Sequence, residues 1–332
     1  MRLLRLCRSL SLLVPALSLG GPRPMVWVAG EALIDLLPPA SPGEEGRAVV
    51  GGGAANTAKC LGMLGVPTKF VGGLSTSDEF GRLIEEELQA SGVLLDGAGR
   101  LSKGTCLAKV TLDEEGRAEY AFILENTATF DFNEQWLPQT TEPPSLLHTG
   151  TLATIIEPGA SVLFHWARRL HDLGVPIVYD PNVRPAVLPD RDAYRLSVER
   201  WLGLAALVKA SEDDLQWLYP GVATDEVLHE WTRRGVTLGV VTRGDRGLAA
   251  VSDNGLTVEV EARSIEVADT VGAGDTVGAV LCEGILIHGL NKLATDEDIL
   301  RAVLQRANLA ASITCSRFGC KPPSLLDLQV EV

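Results

Sequence analysis

The chain has 332 residues, of which 43 are acidic and 29 basic, for a formal charge of −14. So acidic a surface makes nucleic acid and anionic membranes poor partners, since both need a basic footprint; an anionic substrate remains open through a local patch. The length is enough for one large α/β body with a small appendage.

The first 24 residues differ from the rest: they hold four arginines and no acid, leaving a balance of −18 beyond them. The run SLSLLVPALSLG is too short to span a bilayer. This segment reads as a leader peptide or as an extension from an upstream start. The second is preferred, because MVWVAGEALIDLL opens a buried strand at Met25 with no spare linker.

From there Val26 to Ala29 has the pattern of a central strand, and Asp35 follows it. GGGAANTAKCLGMLG reads as a glycine turn feeding a helix whose Ala54, Ala55, Ala58, Leu61 and Leu64 share one face. TKFVGGL is the next strand, and DEFGRLIEEELQASG is an amphipathic helix stopped at Gly92. Between Cys106 and Phe122, alternation around DEEG predicts a β-hairpin and hence a small separate sheet over the main body. From SLLHTG onward strands and helices alternate: HWARRLHDLG, VPIVYD, AYRLSVERWLG, ALVKAS, DDLQWLYP and LGVVTRG, then a second hairpin in GLAAVSDNGLTVEV. The expected fold is a mostly parallel central sheet with helices on both faces, ligands binding along the strand carboxyl ends at Asp180, Ser211, Thr242 and the Asp269 turn.

The cysteines (Cys7, Cys60, Cys106, Cys282, Cys315, Cys320) form no CxxC pair and suit reduced thiols in a cytosolic protein. The histidines are isolated and read as core or surface residues. Neither GGGAAN (51–56) nor GAGDTV (272–277) completes G-x-G-x-x-G or ends in GK[ST], which demotes a dinucleotide enzyme and a P-loop protein. At Gly272, Ala273 and Gly274 the small residues let successive amides converge where a helix begins, which makes an anion hole. Asp275 at its edge is either a helix cap or a base kept ionised by the same field, or both. A base that orients a hydroxyl beside amides that hold a phosphoryl group is what phosphoryl transfer needs. Asp35 and Asn56 are short polar groups suited to sugar hydroxyls.

These two stretches, GGGAANTA (Gly51 to Ala58) and DTVGAGDT (Asp269 to Thr276), resemble the paired signatures of the PfkB, or ribokinase-like, sugar kinases, over Met25 to about Pro322. The resemblance implies a Rossmann-like α/β kinase domain over residues 25–325, with a β lid from segments near 35–50 and 104–132. It implies ATP- and magnesium-dependent phosphorylation of a primary alcohol, and in many members a potassium-like cation. It assigns Asp275 as the base, with Gly272, Ala273 and Gly274 as its anion hole. Asp35, Gly51, Gly52 and Asn56 grip the substrate. Thr242, Gly244 and Gly247 in TRGDRG, and Asn308, fall at nucleotide-pocket positions, and Asp269 and Val271 in the cation loop. Where many members carry N-x-x-E near the metal, this chain has Ser211 and Asp214 in KASEDD. Lys209 belongs to that rim or to the surface.

GEALIDLLP and DPNVRP (Asp180 to Pro185) are most similar to the fructokinase and 2-keto-3-deoxygluconate kinase branch. Glu125 stands where several fructokinases carry arginine; an acid there repels a carboxylate substrate and accepts sugar hydroxyls. Arg184 meets a substrate carboxylate or the γ-phosphate, or pins its loop. The expected enzyme phosphorylates a neutral sugar, most simply fructose, with 2-keto-3-deoxygluconate and ribose as alternatives and a non-catalytic sugar-kinase homologue as the other class. A homodimer through the lid is the assembly the resemblance suggests.

Overall fold

The computed structural model describes residues 24–38, 46–112 and 118–330. The amino-terminal extension and the DEEG turn lie outside the described residues. In chain order, β1 (Val26–Ala29), β2 (Leu33–Leu37), β3 (Arg47–Gly51), α1 (Gly53–Met63), β4 (Thr68–Val71), β5 (Gly73–Ser75), α2 (Glu79–Ala90) and β6 (Gly99–Leu101) come first. The hairpin β7 (Leu107–Leu112) and β8 (Ala118–Ile123) follows, then β9 (Leu146–Gly150), α3 (Gly159–Asp172), β10 (Ile177–Asp180), α4 (Arg191–Leu202), β11 (Leu207–Ser211) and α5 (Glu212–Leu218). The remainder is α6 (Thr224–Arg233), β12 (Leu238–Thr242), β13 (Leu248–Ser252), β14 (Thr257–Val260), α7 (Ala273–His288), α8 (Leu290–Thr295), α9 (Glu297–Cys315) and α10 (Asp327–Val330).

The main sheet has the order β14-β13-β12-β11-β10-β9-β1-β4, parallel from β4 to β12 and antiparallel over the last two strands. Successive side chains of a strand point to opposite faces, so β1 sends Val26 and Val28 into one core and Trp27 and Ala29 into the other. The first core is closed by α1, α2, α7 and α9. The second is closed by α3 to α6, with Leu163, Trp166, Val198, Trp201 and Trp231 fully covered. Strands covered on both faces explain why these segments read as continuous apolar runs.

A second sheet, β3-β2-β7-β8, forms the lid. The chain leaves β1 through Gly30–Ala32, runs into β2, and returns from β3 straight into α1. Leu33, Cys106 and Ala108 of the lid pack on Phe130 and Leu152 of the body in a small third core. Asp35 sits within strand β2 rather than in a loop after the first strand, because the Gly30–Ala32 turn is short enough for LIDLL to start a new sheet at once.

One local reading is corrected and one element was not foreseen. TKFVGGL is two strands in different sheets, β4 and β5, split where the chain passes Gly72 and Gly73; a Cβ on Gly73 would lie 1.8 Å from the Ala128 carbonyl oxygen. The helix α6 escapes a periodicity reading because its apolar stripe is only Val227, Leu228 and Trp231.

Candidate active site

The carboxyl ends of β9 to β12 place Gly150, Asp180, Ser211 and Thr242 along one rim. The turn before α7 comes from Thr270–Ala273, closed by the Ala273 amide donating to the Thr270 carbonyl at 3.2 Å. Gly272 takes the left-handed third position of that turn, φ 78° and ψ 0°, which glycine fills without strain. A Cβ there would also lie 2.2 Å from Cys320 Sγ. One expectation is thereby corrected: the Ala273 amide is consumed inside the turn and is no part of an anion hole. Among the described residues the amides of Gly272, Gly274 and Asp275 donate to no protein acceptor. Three unspent donors at the positive end of a 16-residue helix are an arrangement that can receive an anion.

Asp275 is 7% exposed, and its Oδ2 accepts from Asn56 Nδ2 of α1 at 2.8 Å. Burial pushes its carboxyl up to about 6, opposed by the Lys209 ammonium and the Asn56 hydrogen bond and assisted by the Asp180 charge. Desolvation thus outweighs the favourable field, and Asp275 holds its proton to a higher pH than an exposed aspartate does. It caps nothing through its side chain, since α7 has no side-chain cap hydrogen bond. That separates it from the capping alternative.

Lys209 is 3% exposed, so it is no surface lysine; its Nζ donates to Asp180 Oδ2 at 2.6 Å. Burial alone would lower its affinity for a proton, but the Asp180 and Asp275 carboxylates hold it above the ordinary lysine value. The ammonium stands 3.0 Å from where a Gly274 Cβ would be, directly behind the anion-hole turn. Asp180 Oδ1 is buried with no hydrogen-bond partner. Asp214 is also buried, yet it is fully engaged: Oδ1 accepts from the Val183 amide at 2.7 Å and Oδ2 from the Ser211 amide at 2.8 Å. The Asp214 amide in turn donates to Ser211 Oγ, completing a capping box for α5. Among the described residues no three His, Cys, Asp or Glu side chains gather into a metal cage.

The lid and α1 close the other side. Asp35 lies over Gly51, where a Cβ would come within 2.3 Å of Oδ2, and burial raises its carboxyl to about 6 against the pull of Arg184. Arg184 donates to the carbonyls of Asn182 and Val183 at 3.2 and 3.0 Å, so it pins its own loop while its charge reaches Asp35 and Asp275. Gly52 has φ 99° and leads directly into α1. Glu125 is exposed just beyond the lid hairpin and makes no hydrogen bond or ion pair with the described residues.

Toward the other end of the rim, Gly244 (φ 56°) and Gly247 (φ 83°) bound a tight loop in which the Arg243 amide donates to the Gly247 carbonyl at 2.8 Å. Asn308 of α9 spends its amide on the Glu261 carbonyl at 2.6 Å. The Asp269 carboxylate accepts from the Val271 amide at 3.0 Å and from the Gly319 amide at 2.8 Å, tying the turn before α7 to the segment after α9.

Sequence reading missed three residues of this neighbourhood. Glu31 is 2% exposed; it accepts from the Gly53 and Ala153 amides at 3.0 and 3.1 Å and from the Thr151 hydroxyl. Burial pushes its carboxyl up to about 7. An acid inside the apolar run VWVAGEALIDLL was the available signal. Thr151 and Asn182 are left-handed, at φ 53° and 38°; nothing in the sequence marks Thr151.

The family model for the pfkB family carbohydrate kinases matches residues 23–326. A fructokinase of Rhizobium leguminosarum bv. trifolii is 33% identical over 283 residues, covering 83% of this chain and 86% of the relative. A fructokinase of Salmonella typhimurium is 30% identical over 302 residues, covering 89% and 94%. Among solved structures, the fructokinase with bound ATP from Xylella fastidiosa superposes with a TM-score of 0.84 at 25% identity, over 92% of this chain and 97% of that one.

Proposed function

The chain belongs to the pfkB family of carbohydrate kinases, and from that premise we propose that it transfers the γ-phosphoryl group of ATP to a primary hydroxyl of fructose, with Asp275 as the base. The observation that carries this reading is the buried Asp275 carboxylate at the start of a helix that leaves three amides unspent. The Asn56 hydrogen bond holds one carboxylate oxygen, leaving the other to take a proton from the attacking hydroxyl. The amides of Gly272, Gly274 and Asp275 meet the transferring phosphoryl oxygens, where charge must be stabilised while the nucleophile is held in line. Lys209, behind that turn, adds a fixed positive charge at no cost in reorganisation.

The sugar lies between Asp35, Gly51 and Asn56 on this reading, and the nucleotide runs toward Thr242, Gly244 and Gly247. The unpartnered Asp180 oxygen fits a magnesium ion carried on nucleotide phosphates, which would offset charge there. Asp214, spent on the Val183 and Ser211 amides, ties the Asn182–Arg184 loop to the start of α5 instead. A potassium-like cation would be held by carbonyls of the loop that Asp269 fixes. Neutral sugar is favoured over 2-keto-3-deoxygluconate by the fructokinase relatives; Arg184 commits only Nη1 to its loop carbonyls. Ile123 of the lid, 55% exposed, is consistent with a homodimer across that sheet, and the five described cysteines, all free thiols, with a cytosolic setting.

Turnover measured in parallel on fructose, ribose, 2-keto-3-deoxygluconate and adenosine tests this reading. The highest kcat/KM is expected for fructose. Preference for the keto-acid would overturn the neutral-sugar assignment, and sugar-dependent thermal stabilisation without product would favour a binding protein.

A further inference from the structure

Glu31 lies at the stem of the lid, between β1 and β2, and touches two separate pieces of the body, the start of α1 and the turn after β9. Its carboxylate takes the first amide of α1 at Gly53, the Ala153 amide beyond β9, and the Thr151 hydroxyl; its own carbonyl takes the Ala55 amide at 3.2 Å. Thr151 is a β-branched residue at positive φ, a conformation such residues adopt only when surrounding contacts impose it. Its hydroxyl faces Glu31, and its methyl faces Gly53: a Cβ on Gly53 would meet Thr151 Cγ2 at 2.5 Å, Asn182 Nδ2 at 3.2 Å and Asp275 Oδ1 at 3.4 Å. Strained backbone, a glycine with no room for a methyl group, and the proposed base thus converge on one spot. The left-handed Asn182 stands there as well.

We propose that Glu31 and Thr151 are positioning residues for the acceptor sugar: the Glu31 carboxylate latches the lid stem to the body and holds Thr151 left-handed against Gly53, which fixes the wall beside Asp275. The inference rests on the sugar-kinase reading and adds to it a pair of residues acting on the sugar and not on the nucleotide. The nucleotide-side residues Thr242, Gly244 and Gly247 belong to β12 and the loop after it, and none of them bonds to Glu31 or Thr151.

The test is steady-state kinetics with fructose and magnesium–ATP for Glu31→Gln, Thr151→Val and Thr151→Ser, with a thermal melt of each. Thr151→Val removes the hydroxyl at constant shape; Thr151→Ser keeps it. The expected result is a roughly tenfold rise in the fructose KM for Thr151→Val and Glu31→Gln, the scale of one hydrogen bond to a charged group. The ATP KM stays within about twofold, and Thr151→Ser behaves like the parent, a rescue that a merely structural role does not predict. If Glu31→Gln fails to fold, the two Thr151 variants decide alone. An unchanged fructose KM in folded Thr151→Val, or fructose and ATP KM values that rise together, overturns the inference while leaving the kinase reading intact. A parent protein inactive on every sugar overturns the reading and the inference with it.

Discussion

The two glycine turns look alike in the sequence and are braced differently in the fold. At the start of α1 Glu31 takes two amides, Gly53 on Oε1 and Ala55 on its carbonyl, while Gly52 and Ala54 donate to no acceptor among the described residues. At the start of α7 the amides of Gly272, Gly274 and Asp275 remain unspent. Both turns need a positive-φ glycine, Gly52 and Gly272, and both are tightly packed: side chains at Gly51 and Gly53 would strike Asp35 and Thr151, and one at Gly272 would strike Cys320. What differs is the acid beside each turn: Glu31 takes backbone amides at the first, and Asp275 takes none at the second.

That contrast breaks most severely at Asp275. Asp275→Asn keeps the Asn56 hydrogen bond through its amide oxygen but cannot take a proton, and kcat is expected to fall by about a thousandfold with the fold retained by circular dichroism. Gly272→Ala strikes the receptor itself, forcing a side chain onto a left-handed residue against Cys320 Sγ. Misplacing those donors should lower kcat by about a hundredfold with the fructose KM nearly constant. Gly53→Ala strikes the wall instead, so the fructose KM should rise about tenfold, with a smaller loss in kcat; a change confined to kcat would erase the distinction between the turns.

The smallest effect is on stability. Burial raises the Asp275 carboxyl from 3.8 to about 6, so the folded state binds its proton more tightly than the unfolded one. Its contribution is fully favourable below about pH 4 and is lost as pH rises through about 6, a difference of about 3 kcal/mol at most. Asp275→Asn should therefore melt a few degrees above the parent at pH 8 and show no such gain at pH 4, as differential scanning calorimetry can record. Glu31 and Asp35 carry raised carboxyls of the same sign, so wild-type stability is expected to decline from pH 5 to 8.

The parallel sheet was legible because strands buried on both faces leave unbroken apolar runs, and the lid because β7 and β8 alternate. The place of Asp275 in the first turn of a helix was legible from the glycines before it. What stayed hidden depends on partners distant in sequence. Nothing in DTVGAGDT says that the Ala273 amide folds back on Thr270, or in KASEDD that Lys209 turns inward onto Asp180, 29 residues away, rather than out to solvent. Thr151 resists any local rule, since its left-handed backbone is imposed by Glu31 from 120 residues away.

The pH dependence of fructose kcat/KM, measured for the parent and for Asp275→Asn, tests the central claim most directly. A buried carboxylate that must be deprotonated to activate the sugar hydroxyl gives an acid limb at about 6 in the parent, and that limb disappears from the residual activity of the variant. A limb near 4 in the parent, or one that persists unchanged in Asp275→Asn, would assign the proton transfer to another group.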